Sequence, residues 1–141
     1  MKSLHFNITT ICVLIFSFFL ACQPRRNKFV VVAVDTTIKA EPVSFIDLAK
    51  NYKSYHGKYV ETKGLFGQRF EHFGLCVDSS ELTNGLRCFW LSLDKDLNIT
   101  EEDLQRMNRK IVRLRGLFDT THKGHLSSYY GTIRDIYFWE Q

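Results

Sequence analysis

Gly57-Lys58-Tyr59-Val60-Glu61-Thr62-Lys63-Gly64-Leu65-Phe66 and Arg109-Lys110-Ile111-Val112-Arg113-Leu114-Arg115-Gly116-Leu117-Phe118 are two versions of one strand. Lys, Val and Gly-Leu-Phe recur in register. Side chains alternate across a strand, so Val60, Thr62, Gly64 and Phe66 share one face and Val112, Leu114, Gly116 and Phe118 share its counterpart, with charged residues opposite. A glycine in mid-strand on the inner face lets a strongly bent strand pass close to its neighbour. Each strand follows a Ser/Thr-x-x-Asp start: Ser44 with Asp47, and Thr100 with Asp103. In such a start the hydroxyl caps the third amide and the acid faces the positive end of a short helix. Two bent strands, each preceded by a helix, predict a closed or nearly closed small barrel.

Between the repeats lie Phe73-Gly74-Leu75-Cys76-Val77 and Leu86 to Leu93, joined by a turn-rich stretch that ends in Asn84-Gly85. This reads as a hairpin centred on Leu82. After Phe118 a loop runs to Gly124, and His125 to Phe138 is expected to carry the last strand. Gly131 marks a break there. Ile133 and Ile136 are out of strict alternation, which places a bulge near Arg134 and Asp135. Strand, hairpin, helix, strand, strand is the order of an OB-type barrel. The expectation is therefore a mainly β protein with short helices, a small five-stranded OB-like barrel over residues 44–141.

The chain has 141 residues. Its start reads differently from its body. Lys2, an apolar run from Ile11 to Leu20 and the ending Ala21-Cys22 read as a lipoprotein signal peptide over residues 1–21. An apolar run of about ten to thirteen residues is too short to stay in a bilayer as a helix. Cys22 is then the new N-terminus and carries the lipid, although Phe19 and Leu20 depart from the usual processing motif. An ordinary secretory signal and an uncleaved anchor are the alternatives. Residues 22–43 read as a tether, and Phe29 to Val34 is either a first strand or a membrane-proximal patch. Gln23 after the cysteine fits an outer-membrane protein facing the periplasm. A formal net charge of +4 does not call for a polyanionic partner.

The pattern from Gly57-Lys58-x-Val60 and Gly64-x-Phe66, through Phe89-Trp90-Leu91-Ser92-Leu93 and Val112 to Phe118, to Gly124-His125-Leu126 with Tyr129, Gly131, Ile133 and Ile136, resembles a group of uncharacterised bacterial lipoproteins with an OB-like barrel. The resemblance covers residues 44–138 and implies the fold. It implies no activity.

Four constellations bear on chemistry. Cys76 and Cys88 are the two thiols left once the signal is removed and Cys22 is lipidated. A hairpin centred on Leu82 sets them opposite each other, within bridging reach in an oxidising compartment. A structural disulfide, two reduced core thiols and a redox pair are the readings, the last lacking a Cys-x-x-Cys motif. His122 and His125 form a pair in a loop, with His56 and His72 elsewhere, too few ligands for a metal site. A haem pair would use His125 with Tyr129 or Tyr130, without any characteristic attachment segment, so no cofactor is expected. Arg106, Arg109, Lys110, Arg113 and Arg115 form a basic set. OB barrels use such residues on single strands, but an exported protein rarely meets nucleic acid, and none is expected here. The rings Tyr129, Tyr130, Tyr137, Phe138 and Trp139 suit sugar or peptide stacking if they share an exposed face.

No Ser-His-Asp set, paired carboxylates or phosphate loop stands out, and no catalytic residue is assigned. The expected function is a non-enzymatic binding or assembly module of the cell envelope, held on the membrane through Cys22, with an envelope protein or glycan as partner. The alternative is a receptor for a small ligand, metal or glycan. Such a receptor should gather His122, His125, Tyr129 and Tyr130 around one concave site.

Overall fold

The computed structural model describes residues 30–32, 37–81, 87–93 and 97–141. The signal segment, Cys22 and the centre of the expected hairpin lie outside the described residues. The protein is mainly β, with seven strands among the described residues: β1 (Val30–Val32), β2 (Glu41–Pro42), β3 (Tyr59–Arg69), β4 (His72–Cys76), β5 (Cys88–Leu91), β6 (Ile111–Asp119) and β7 (Thr132–Glu140). Two short helices, α1 (Phe45–Lys50) and α2 (Glu101–Met107), precede β3 and β6. Both have the expected caps. Ser44 Oγ accepts from the Asp47 amide, and Thr100 forms a full capping box with Asp103.

The twin strands pair with each other, antiparallel, from Tyr59 opposite Leu117 to Leu65 opposite Ile111. Their inner faces follow the alternation: Val60, Thr62, Gly64 and Phe66 are buried, as are Val112, Leu114, Gly116 and Phe118. A methyl on Gly64 would lie 2.6 Å from Leu75 Cγ, and one on Gly116 would lie 2.8 Å from the Arg134 carbonyl oxygen. Both glycines are therefore places where neighbouring strands come too close for a side chain. The buried Phe66, Phe89, Phe118 and Trp139 fill the core, with Phe66 edge-on to Trp139 and Phe89 edge-on to Phe118.

The sheet is mixed. It runs β1-β7-β5-β4-β3-β2, and β6 lies off this path, paired to both β3 and β7. The β5–β7 and β2–β3 pairs are parallel and the rest antiparallel.

Within residues 44–141 the described strands number five, β3 to β7, as expected, and two more lie before them. The short β1 and β2 join the outer margins, β1 on the end of β7 and β2 beside Val60 and Glu61. The last strand also begins later than expected, at Thr132. Gly124, Leu126 and Ser127 all have positive φ, which breaks extended backbone before Thr132. The irregularity expected near Arg134 and Asp135 is present: Asp135 has φ of 49° and the β6–β7 register shifts between Arg115 and Leu117.

Candidate functional site

Two connections meet to form a small polar cleft. The first is the turn between β3 and β4, made by Phe70 and Glu71, with Glu71 in the left-handed region at φ 58°. The second is the β6–β7 connection, which carries a 3-10 turn at His125–Ser127. Gly124 is needed there twice over: its φ is 63°, and a methyl on it would lie 2.7 Å from the Trp90 ring. That close approach seats the connection on Trp90, whose ring is in turn edge-on to Tyr129.

Arg69, Phe70, Glu71, His72, His125 and Tyr129 line the cleft, which has a volume of about 200 Å³. His125 Nε2 lies 3.5 Å from a Glu71 carboxylate oxygen at the mouth. Deeper in, the Tyr129 hydroxyl is 2.6 Å from His72 Nδ1, and His72 Nε2 is 3.7 Å from Cys76 Sγ. Burial, with Arg69 nearby, pushes the His72 pKa down. Burial pushes the Tyr129 phenol up, against the opposing pull of Arg69. A neutral imidazole beside a protonated phenol fits two arrangements: the phenol donates into Nδ1 with the ring proton on Nε2, or Nδ1–H donates to the phenol oxygen.

Cys76 and Cys88 stand directly opposite in the β4–β5 register, with Cα atoms 4.2 Å apart and their sulfurs bonded. Both are fully buried.

His125 and Tyr129 therefore share the cleft, whereas the other two candidate ligand residues sit elsewhere. His122 Nδ1 is 3.0 Å from Asp119 Oδ2, in a cluster where Asp119 also accepts from the Thr121 amide and hydroxyl and from Arg134 Nε. His56 approaches the same carboxylate at 3.8 Å. Burial of Asp119 favours its protonated form, but the Thr121 hydrogen bonds and His122 outweigh it and hold the carboxyl well below the usual carboxylate range. Tyr130 points to the core instead, with its ring 6.0 Å from both Phe89 and Tyr52. Trp139 is wholly buried.

Three members of the basic set, Arg106, Arg113 and Arg115, have acidic partners. Arg113 pairs with Glu61 and Glu140, Arg115 pairs with Glu61, and both guanidinium groups lie over the Phe138 ring. Arg106 pairs with Glu102 and Asp103 on α2.

The cleft residues that sequence reasoning missed are Arg69, Phe70, Glu71 and His72. The polar interruption from Gln68 to His72, between Phe66 and Phe73, was the signal. It carries no glycine or Asn-Gly to announce a turn, so the left-handed Glu71 was not foreseen. No family model, curated protein or solved structure matches the chain.

Proposed function

We propose that the chain is a lipid-anchored cell-envelope binding protein, non-enzymatic, whose cleft takes a short glycan. The observation that carries this reading is the convergence of Arg69, Glu71, His72, His125 and Tyr129 on one concavity, with Phe70 beside it and almost fully exposed at 89%. Polar side chains at these positions suit sugar hydroxyls, and an exposed ring next to them offers a stacking face. A volume of about 200 Å³ suits one or two sugar units rather than a folded partner.

An OB-like barrel is the fold that goes with this reading. Its support is the chain of pairs from β3 through β4, β5, β7 and β6 back to β3. Gly67 pairs with Gly74, Gly74 with Trp90, Trp90 with Thr132, and Thr132 with Asp119. Extending the β3–β6 register brings Asp119 opposite position 57, ten residues before Gly67. A fixed stagger of this kind is what barrel geometry demands. In such barrels the loops after the first and fourth barrel strands flank the ligand face, and these correspond to the Phe70–Glu71 turn and the His125–Ser127 connection.

The envelope location rests on the Met1–Cys22 segment. It is tested by membrane fractionation and intact mass in the native host: wild type should carry an acylated Cys22 and Cys22→Ser should leave the membrane. Retained Met1 on a soluble chain would end the envelope reading. Binding is tested with envelope oligosaccharides titrated into isotopically labelled protein. Shifts confined to Glu71, His72, His125 and Tyr129, with affinity reduced at least about tenfold by Glu71→Gln or His125→Ala, support the glycan reading. Shifts clustered instead around Ile46 and Val43, which line an apolar groove of about 550 Å³, would favour an assembly module.

A further inference from the structure

His72, Cys76 and Cys88 come together for a reason that glycan binding does not use. The His72 ring nitrogen and the two sulfurs all lie within 4.8 Å of one another, and all three residues are buried. One imidazole and two thiolates form a donor set suited to soft cations with filled d shells. The second requirement of such a site is an outer partner that orients the imidazole, and here the Tyr129 hydroxyl lies 2.6 Å from Nδ1. Its hold on the far side of the ring turns Nε2 toward the sulfurs. His72 and Tyr129 also line the cleft, so the cluster lies directly beneath its floor.

We propose that these residues form a redox-exclusive metal site: reduced, Cys76, Cys88 and His72 hold one thiophilic d10 cation, zinc(II) or copper(I), and oxidised, the same sulfurs hold the disulfide. Both forms cross-link β4 to β5 at the same register. They cannot coexist, because the sulfur electron pairs that would bind the metal belong to thiolates that the S–S bond consumes. A dithiol reductant makes the exchange in two steps. Its first thiolate attacks one sulfur, forming a mixed disulfide and releasing one cysteine thiolate. Its second thiol then closes the donor's own disulfide and frees the other cysteine. Two electrons pass to the protein, and two protons appear on its sulfurs. Binding a divalent cation then expels both thiol protons. With Nε2 on the metal, the imidazole carries its proton on Nδ1, where the Tyr129 oxygen is the acceptor.

The test uses the full-length chain in detergent, reduced with a phosphine, which forms no mixed disulfide, and freed of it by anaerobic gel filtration before metal is added. The phosphine takes oxygen from one water, and the two protons of that water end on the sulfurs. Zinc is titrated against a chromophoric chelator while proton release is followed and near-ultraviolet dichroism reports the packing around Trp139. The expected result is one zinc per chain, two protons released, two sulfur neighbours in X-ray absorption and no binding by the oxidised protein. His72→Ala and Tyr129→Phe should each weaken binding about tenfold or more. His122→Ala, which lies in the Asp119 cluster, should leave it unchanged.

Failure of reduced, folded protein to bind either zinc(II) or copper(I) overturns the proposal. So does binding that survives His72→Ala, or that appears only with the dichroism of an unpacked chain. Should His72→Ala or Tyr129→Phe not fold, the sulfur count on wild type decides. Glycan binding by the oxidised protein is a separate measurement, so loss of one reading does not remove the other.

Discussion

Asp119 shows how much a single buried group organises. It ends β6 at 5% exposure and gathers donors from Thr121, His122 and Arg134. A buried carboxylate without donors would strongly disfavour folding. With them it pins the start of the β6–β7 connection, and so positions the segment that carries His125 and Tyr129. Replacing it by alanine leaves the Thr121 amide and Arg134 Nε without their acceptor and should cost about 2–3 kcal/mol in urea denaturation. The acid limb has a definite sign. The folded-state pKa is depressed, so its stabilisation is complete above the ordinary carboxylate value near pH 4 and drains away as pH falls below it. Asp78 and Asp103, also lowered by their hydrogen bonds to Ser80 and Thr100, act in the same direction. Asp119→Asn should therefore flatten, without abolishing, the loss of stability below about pH 4. An unchanged acid limb in that variant would mean that the carboxylate is not the group responsible.

At the scale of elements, the twin strands make a sharper prediction. Gly116 faces backbone: an added methyl meets the Arg134 carbonyl oxygen and Ile133 Cγ2, both at 2.8 Å. Gly64 meets Leu75 Cγ first, and the Cys76 carbonyl only at 3.0 Å. Side chains yield more readily than carbonyls held in a ladder. Gly116→Ala should thus destabilise more than Gly64→Ala, within an overpacking range of about 1–3 kcal/mol, as read from paired denaturation midpoints. Thr100→Ala removes the α2 capping box and should cost about 1 kcal/mol.

These elements were legible because their signals are local. Alternation marked the buried faces of β3 and β6, the Ser/Thr-x-x-Asp starts marked both helices, and the broken alternation around Ile136 marked the bulge. The cleft was only half legible. His125 and Tyr129 stand in one conspicuous segment, but His72 is 57 positions from Tyr129, and their meeting depends on how β4, β5 and β7 are ordered across the sheet. His122 misled because spacing to His125 says nothing about Asp119, which draws it away. Tyr130 misled because consecutive side chains at a strand's approach face opposite ways, and Phe89 takes one of them.

Over the whole molecule, pairing is uneven, and this locates the weakest part of the fold. The β3–β6 ladder runs through seven residue pairs and β6–β7 through six, whereas β4–β5 has three and β5–β7 two. β5 is held mainly by its buried side chains and by the cross-link at Cys88. Closing the chain between positions separated by 12 residues stabilises mainly by restricting the unfolded chain, by about 2–3 kcal/mol for a loop of this size. Locally the effect is different, because the cross-link joins β4 to β5, which has the fewest ladder pairs of the strands β3 to β7. Opening free energies vary across a structure, and segments with few protected bonds exchange first. Reducing the disulfide in the absence of metal should therefore raise amide exchange across Cys88–Leu91 by about tenfold or more, with a smaller change at β3 and β6. Uniform acceleration at all strands would show instead that the cross-link acts only on the global equilibrium. Exchange that stays slow at β5 would place its hold in Phe89 and Leu91, packed into the core beside Phe118 and Ile133, and would leave Cys76 and Cys88 free to change partners without loosening the sheet.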